Sequence, residues 1–573
     1  MAALVWVNAL PMARAQAPDA GSLLRQQRDQ TPVERPAARP AEPALTAPPV
    51  GRAAPALGGP LRVAVRAFRI QGQPRAFTVD QLLAVLAPWQ GRTLTLAELT
   101  QAVDAVTQHY RSHHYPIARA LLPRQDVTEG TVVIEVLEGL RDAASPARVV
   151  DDGGLRLAPE RVQALLGATL PAGEPLHGPA LERAALLLSD LPGLRARLEL
   201  EPGSAPGSTQ LVARLQEGPL LSGLVSLDGH GARYTGAERL SALLQWNDAG
   251  GRGEQTSLQV AKSTRQTSLR LSHSEPVGQQ GARAGLALGG LDYRIGEQLA
   301  ALQAGGQALT ANLNLRYPWL RSDSRNLVAT AAWDASHLRN HANGAATSNK
   351  RLQSATLGLQ ADRTDRWLGE SFTAASVQVA LGRADLSGNA ASLLQDQAPN
   401  GPHTHGQFRK LNLSFSHSHY LASRLSLHVS ALAQLSPDNL DSSEKMQLGG
   451  PTGVRAYPEG EASGDRGYSA SIEARWQAGG LANLGSLQWQ VFVDGGQIQQ
   501  YAKAAALSLG TPNQYGLAGW GLGAALTGGP GGLDLRLAWA QALGNNPGRS
   551  AAGLNADGRS AGSRFWFQLQ RAF

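Results

Sequence analysis

Apolar and polar residues take alternate positions from residue 219 to the carboxyl-terminal Phe573, and this period of two constrains the fold more than any other feature. In Tyr468–Trp476, Tyr468, Ala470, Ile472, Ala474 and Trp476 share one face, opposite Ser469, Ser471, Glu473 and Arg475. In Leu487–Asp494, Leu487, Trp489, Val491 and Val493 oppose Gln488, Gln490, Phe492 and Asp494. Leu533, Leu535, Leu537 and Trp539 oppose Asp534 and Arg536, and the odd positions of Leu425–Leu435 are all aliphatic. A slip of one residue would exchange the two faces, so the pattern fixes register. It also hides a membrane surface from any average, because only every second residue meets lipid. The mean hydropathy is −0.21, and no run of about 18 apolar residues exists, which excludes a bundle of membrane helices. Charged residues are only 17% of the chain, against about 25% in ordinary soluble domains. A soluble sandwich or propeller would alternate as well, but not with so few charges over such a length. The reading is therefore mainly β: a transmembrane barrel over residues 219–573. It should hold about 16 antiparallel strands, and an even number returns both ends to the same side of the membrane.

Residues 61–218 have a different texture. The first stretch, 61–140, reads as strand, two helices and two strands. Val63–Gly72 is a strand, Thr78–Leu86 a helix, and Thr95 with Glu98 a capping box that opens a second helix. Leu99, Val103, Val106 and Tyr110 then form one helical stripe. The second stretch, 141–218, repeats that order and ends alike, with Glu217-Gly218 following Glu138-Gly139 by 79 residues. Matched order at a fixed period indicates duplicated β-α-α-β-β modules.

Ahead of the modules, residues 1–17 combine a short apolar stretch with A-x-A-like ends, the pattern of a signal peptide. Its basic first region is missing, so the natural start is expected further upstream. Export into an oxidising compartment also suits a chain with no cysteine. Residues 18–31 read as a helix that is polar all round apart from Leu23 and Leu24. Such a helix is suited to a wet channel rather than to an apolar core. Prolines crowd residues 32–60, which read as an extended linker.

Between two barrel strands lies a long Gly-rich stretch, 445–467, that contains Val454-Arg455-Ala456-Tyr457. Loops of this length are disproportionately functional. Arg grips a carboxylate with two hydrogen bonds, and alternation places Asp494 inside the barrel, where a lone charge is unfavourable. Other motifs carry less. His403 and His405 sit in a Gly/Pro loop without a third ligand. Gly519-Trp-Gly-Leu-Gly523 has its glycines at period two with no following helix, so it reads as small residues on a barrel wall rather than as a phosphate loop. No nucleophile elbow or Walker lysine occurs. The net charge of +7 is scattered along the chain, with no basic aromatic module for nucleic acid.

These features together resemble the outer-membrane transporters of two-partner secretion, the hemolysin-activator and filamentous-haemagglutinin-transporter family. The resemblance runs through the whole chain: signal peptide, plug helix, linker, two polypeptide-transport-associated (POTRA) modules and a 16-stranded barrel. In the first module it rests on Tyr110, Tyr115, Pro123, Gln125, Glu138 and Gly139, and in the second on Pro192 and Gly193. In the barrel it rests on Val454, Arg455 and Tyr457 of the inward loop, with Ala456 where the family has Gly, and on Phe492, Asp494 and Gly496 of the wall. The terminal Phe573 is similar to the sorting signal of outer-membrane barrels. The resemblance implies a non-enzymatic pore in the bacterial outer membrane with its modules in the periplasm. Its partners would be a large exoprotein with an amino-terminal secretion domain, outer-membrane lipid, and the barrel-assembly machinery with periplasmic chaperones. It implies no nucleotide, cofactor or metal and no nucleic acid. An assembly insertase of the same superfamily and a plain porin are the alternatives. Insertases usually carry more modules and no polar plug, and a porin needs no modules at all.

Overall fold

A computed structural model describes residues 18–30, 45–46 and 62–573, apart from 152, 367–368, 482–483, 505–506 and 508. The expected signal peptide, and the linker except residues 45–46, lie outside the described residues. Helix α1 is Ala20–Gln30, and a short strand β1 is Leu45–Thr46.

The first module comprises β2 (Arg62–Ala64), β3 (Ala67–Gln71), α2 (Val79–Leu86), β4 (Thr93–Thr95), α3 (Leu96–Ser112), β5 (Arg119–Leu121) and β6 (Thr131–Leu137). The strand read over Val63–Gly72 breaks in two because its halves find different partners. β2 pairs with β4, whereas β3 runs parallel to β6. Both helices open on capping boxes, Thr78 with Gln81 and Thr95 with Glu98. Leu82, Leu86, Leu99, Val103, Val106 and Tyr110 bury their side chains against the sheet.

The second module follows β7 (Leu140–Arg141) and holds β8 (Arg148–Asp151), α4 (Pro159–Thr169), α5 (Gly178–Ser189), β9 (Leu194–Pro202) and β10 (Ser208–Glu217). β10 lies between antiparallel β9 and parallel β8, and β1 adds to the outer edge of β9 in parallel. The module docks on the barrel's periplasmic turns. Arg321 grips Asp190 with two 2.8 Å bonds, and Arg183 donates to the Pro318 carbonyl at 2.9 Å.

The barrel strands are β11 (Leu221–Asp228), β12 (Arg239–Asn247), β13 (Gln255–Lys262), β14 (Gln266–Val277), β15 (Ala282–Arg294), β16 (Gly305–Arg321), β17 (Arg325–Ala342), β18 (Ala345–Asp365), β19 (Ser371–Asp385), β20 (Gly406–Ala422) and β21 (Leu425–Leu435). A helix, α6 (Ala390–Asp396), lies in the loop between β19 and β20. Two short strands, β22 (Met446–Gln447) and β23 (Ser463–Gly464), pair within the inward loop. The barrel resumes with β24 (Arg466–Leu481), β25 (Gly485–Gln499), β26 (Gln514–Gly529), β27 (Leu533–Leu543) and β28 (Ser563–Ala572). These sixteen antiparallel strands close on themselves where β28 meets β11, from Leu224 opposite Ala572 to Asp228 opposite Gln568. Alternation appears as two faces. Val491 and Val493 are about half exposed on the outside, whereas Phe492 and Asp494 are buried within.

Candidate functional site

The lumen is filled from two directions, by α1 and by the loop between β21 and β24. The loop brings Arg455 to the inner wall. Its Nε and one terminal nitrogen donate to the two Asp494 oxygens at 2.8 and 2.7 Å, and its own backbone N–H donates to Asp494 at 3.1 Å. Ser471 bridges the pair. Its hydroxyl donates to Asp494 at 2.8 Å and accepts from Arg455 at 2.9 Å. The other terminal nitrogen pairs with Glu473 at 2.8 Å, and the guanidinium lies 3.4 Å over the Phe492 ring. From β28, the strand that borders the barrel seam, the Trp566 indole donates to the Arg455 carbonyl at 2.7 Å. A planar cation held by two carboxylates, a hydroxyl and an aromatic face uses every geometric advantage of Arg over Lys.

Close approach makes this latch possible. A side chain on Gly519 would strike Ala456, and one on Gly521 would strike Phe492. Of the glycines read as small wall residues, Gly519 is thus the floor under the loop tip, Gly521 makes room for the Phe492 ring, and Gly523 lies against Gln490. Gly496 is similarly closed, by Tyr468 and Leu448. Val454, Ala456 and Tyr457 are buried around it. Ala456 has no positive φ, so its side chain is accommodated; the left-handed alanine of this loop is Ala462.

Helix α1 lies inside the barrel against β15, β16 and β17. Its Ala20, Leu23 and Leu24 pack with Tyr234, Leu291, Tyr293 and Leu338. The helix expected in wet surroundings therefore has an apolar seat, because the inner wall is locally apolar there. Polar contacts tie its two ends to the same loop. Ser442 donates to Asp19 at 2.7 Å, and Arg28 pairs with Glu444 at 3.5 Å. Lys350 and Lys410 on the wall hold Asp441 and Glu444 at 2.7 and 2.6 Å. Gly21 abuts Ser442 and Ser443, where a larger residue would not fit.

The module residues serve elsewhere. Glu138 accepts from the Tyr110 hydroxyl at 2.8 Å and from the backbone of Arg75 and Ala76 at 2.7 and 3.0 Å. Burial, then this carboxylate, pushes the Tyr110 phenol far above its ordinary range, so it stays a donor. Gly139 has φ +68° and lies against Ile117. Gln125 acts as a piece of strand, exchanging two bonds with the Val133 backbone at 2.6 and 2.7 Å, while the half-buried Pro123 ends the preceding segment. Tyr115 packs at the joint between modules, 5.2 Å from the His177 ring. Gly193, after Pro192, has φ +70° and faces Asn247 at the barrel rim. Phe573 exchanges backbone bonds with Gly223 at 2.8 and 3.0 Å and so closes the seam. His405 accepts from the Leu386 N–H at 3.1 Å, and no cluster of metal-ligating residues exists among those described.

A 16-stranded barrel with periplasmic modules, an inserted helix and a latched loop defines a polypeptide-transporting outer-membrane pore. Residues 207–526 match the family described as Haemolysin secretion/activation protein ShlB/FhaC/HecB, and residues 63–139 match the ShlB-type POTRA domain. The chain belongs to this family and is an outer-membrane transporter of two-partner secretion. It is 26% identical over 502 residues to the Heme/hemopexin transporter protein HuxB of Haemophilus influenzae, covering 86% of this chain and 84% of the relative. It is 26% identical over 435 residues to the Outer membrane transporter CdiB of Escherichia coli O6:K15:H31, covering 72% of this chain and 69% of the relative. A solved structure of CdiB from Escherichia coli shares the fold at a TM-score of 0.69 and 22% identity, covering 91% of this chain and 93% of that one.

Proposed function

We propose that this transporter recognises its cargo with the two modules, and that the cargo is a large exoprotein of adhesin or hemolysin type bearing an amino-terminal secretion domain. On this reading residues 1–17 are an export signal, 18–31 the plug, 32–60 the linker, 61–140 and 141–218 the two modules, and 219–573 the barrel, with 445–467 as the inward loop. The observation that carries the proposal is the shared anchorage of plug and loop. Asp19 and Arg28 both contact the segment 441–444, so both obstructions to the lumen rest on one set of residues.

The geometry gives an order of events. An extended cargo segment pairs with a module sheet edge by main-chain hydrogen bonds, which make few sequence demands. The outer edge of β9 is taken in parallel by β1, so it accepts an extended segment, and the cargo would take the place of β1 there. The plug then leaves, the cargo threads outward, and its folding outside biases the movement without nucleotide. Arg455 and Asp494 hold the loop so that the lumen keeps its shape.

Deleting residues 19–60 tests the reading against an insertase. The expected result is a pore of raised conductance with outer-membrane protein assembly intact; loss of assembly would favour the insertase. Recruitment is tested by retention of the cognate secretion domain on the full-length protein, and no retention would refute it.

A further inference from the structure

The outer face of β18–β20 carries arginines at both edges of its apolar band. Arg325 lies opposite Arg363 at the periplasmic edge, and Leu327, Ala361, Ala375 and Phe415 begin the band above them. Ten residues along β18, Gln353 lies opposite Arg383. That distance is about 33 Å of strand at ~3.3 Å per residue, and a tilt of about 40° reduces it to roughly 25 Å of height, the usual apolar band. Arg383 therefore stands at the extracellular edge. Arg409 pairs across from Leu381, one step below, and Arg351 lies across from Asp385, one step above. The three run diagonally across three strands on the lipid side, where Leu381 is 57% exposed.

Their charges are only partly met. Arg409 has Asp438 at 3.3 Å, but Asp438 also serves Lys503 at 3.0 Å. Neither Arg351 nor Arg383 forms a close ion pair with a described residue, and the one carboxylate beside them, Asp385, lies across from Arg351 and also feels the charge of Arg383. Like charges on neighbouring strands of one face are unfavourable unless something bridges them. Directly below, an open groove of about 490 Å³ is walled by Val379, Leu381, Leu411 and Leu435 and rimmed by Arg409 and Arg466. An apolar groove facing lipid, topped by guanidinium groups that outnumber the carboxylates beside them, matches a ligand with acyl chains beneath phosphate.

We infer that this face binds the phosphorylated glycolipid of the outer leaflet, with acyl chain in the groove and phosphates on Arg351, Arg383 and Arg409. Guanidinium suits phosphate because its planar fork makes paired, charge-assisted bonds. The site lies outside the lumen, so it is independent of which cargo passes.

The test uses the full-length protein in detergent micelles with purified deep-rough lipopolysaccharide. Retention on size exclusion and the shift in unfolding temperature are measured. The comparison arms are the same glycolipid with its phosphates removed, dioleoyl phosphatidylglycerol, and inorganic phosphate. The parent should retain the intact glycolipid best. R351Q/R383Q/R409Q should bind it roughly a hundredfold more weakly, at about 1 kcal/mol for each basic residue removed at a charged membrane surface. The single variants R351Q and R383Q should each give a smaller loss, which keeps the test decisive if the triple variant does not fold. Equal retention by parent and single variants, or equal binding of phosphatidylglycerol or free phosphate, would overturn the assignment.

Discussion

Arg455 shows how much one side chain settles. Its guanidinium is the shared counter-ion of Asp494 and Glu473, both buried. Arg455→Ala strands the buried Asp494, whereas Glu473 keeps Arg475 at 2.6 Å, and breaking a buried pair in this way costs about 3–5 kcal/mol. The loop should detach while the sixteen strands stay paired. The expected outcome is a strong fall in secretion with an unchanged heat-modifiable barrel on gels, and Arg455→Lys should not restore it because Lys lacks the fork. Gly519→Val should give the same phenotype by displacing Ala456, without touching a charge. In the first module, Glu138→Ala strands the Tyr110 hydroxyl and two backbone donors. A loss of roughly 3 kcal/mol is expected, read as a lowered urea midpoint for unfolding of the periplasmic region.

At the scale of elements, α1 is held by a small apolar seat and by ion pairs at its ends. The pairs Lys350–Asp19 at 4.0 Å and Arg28–Glu444 at 3.5 Å are partly exposed. Such pairs contribute at most about 1 kcal/mol each and weaken with salt. D19N/R28Q should therefore raise the ratio of unplugged to plugged channels by up to roughly thirtyfold. Planar-bilayer recording of channel openings checks this, and the difference from the parent should shrink as salt rises. This element also marks where sequence reading ends. Leu23 and Leu24 were visible as the apolar residues of a polar helix, but their seat on Leu291 and Leu338 depends on strand pairing, which periodicity does not specify. Asp494 was legible because alternation turned it inward. Glu473 lay on the inward face too, yet its link to Arg455 follows from the β24–β25 register, where Glu473 meets Phe492. Trp566 looked like one aromatic among Phe565 and Phe567, and nothing in its neighbourhood pointed to a residue more than a hundred positions away.

In the whole molecule, the two modules and the barrel keep separate cores joined by small mixed contacts, with Ile117 on the core of the second module and Leu187 against Gly281 at a barrel turn. The module joint brings the His177 and His114 rings to 6.0 Å, and the Gly178 N–H donates to the His114 carbonyl at 2.7 Å. Burial, followed by the nearby His114, holds the His177 imidazole below its ordinary range. The unfolded or undocked state thus binds the proton more readily. The contribution of this joint is fully present above the ordinary histidine pKa and falls as the pH drops through the lowered value. Fluorescence transfer between dyes on the two modules should report a looser joint in mildly acidic medium, and His177→Gln should flatten that dependence. The bond from Trp566 to Arg455 has a consequence for biogenesis. The latch residues come from positions 455, 471, 473 and 494, but the donor to the Arg455 carbonyl comes from β28, the sixteenth barrel strand in chain order. The grip on Arg455 is therefore complete only when β28 has been laid beside β27, so a barrel that still lacks its closing strand holds Arg455 from β24 and β25 alone.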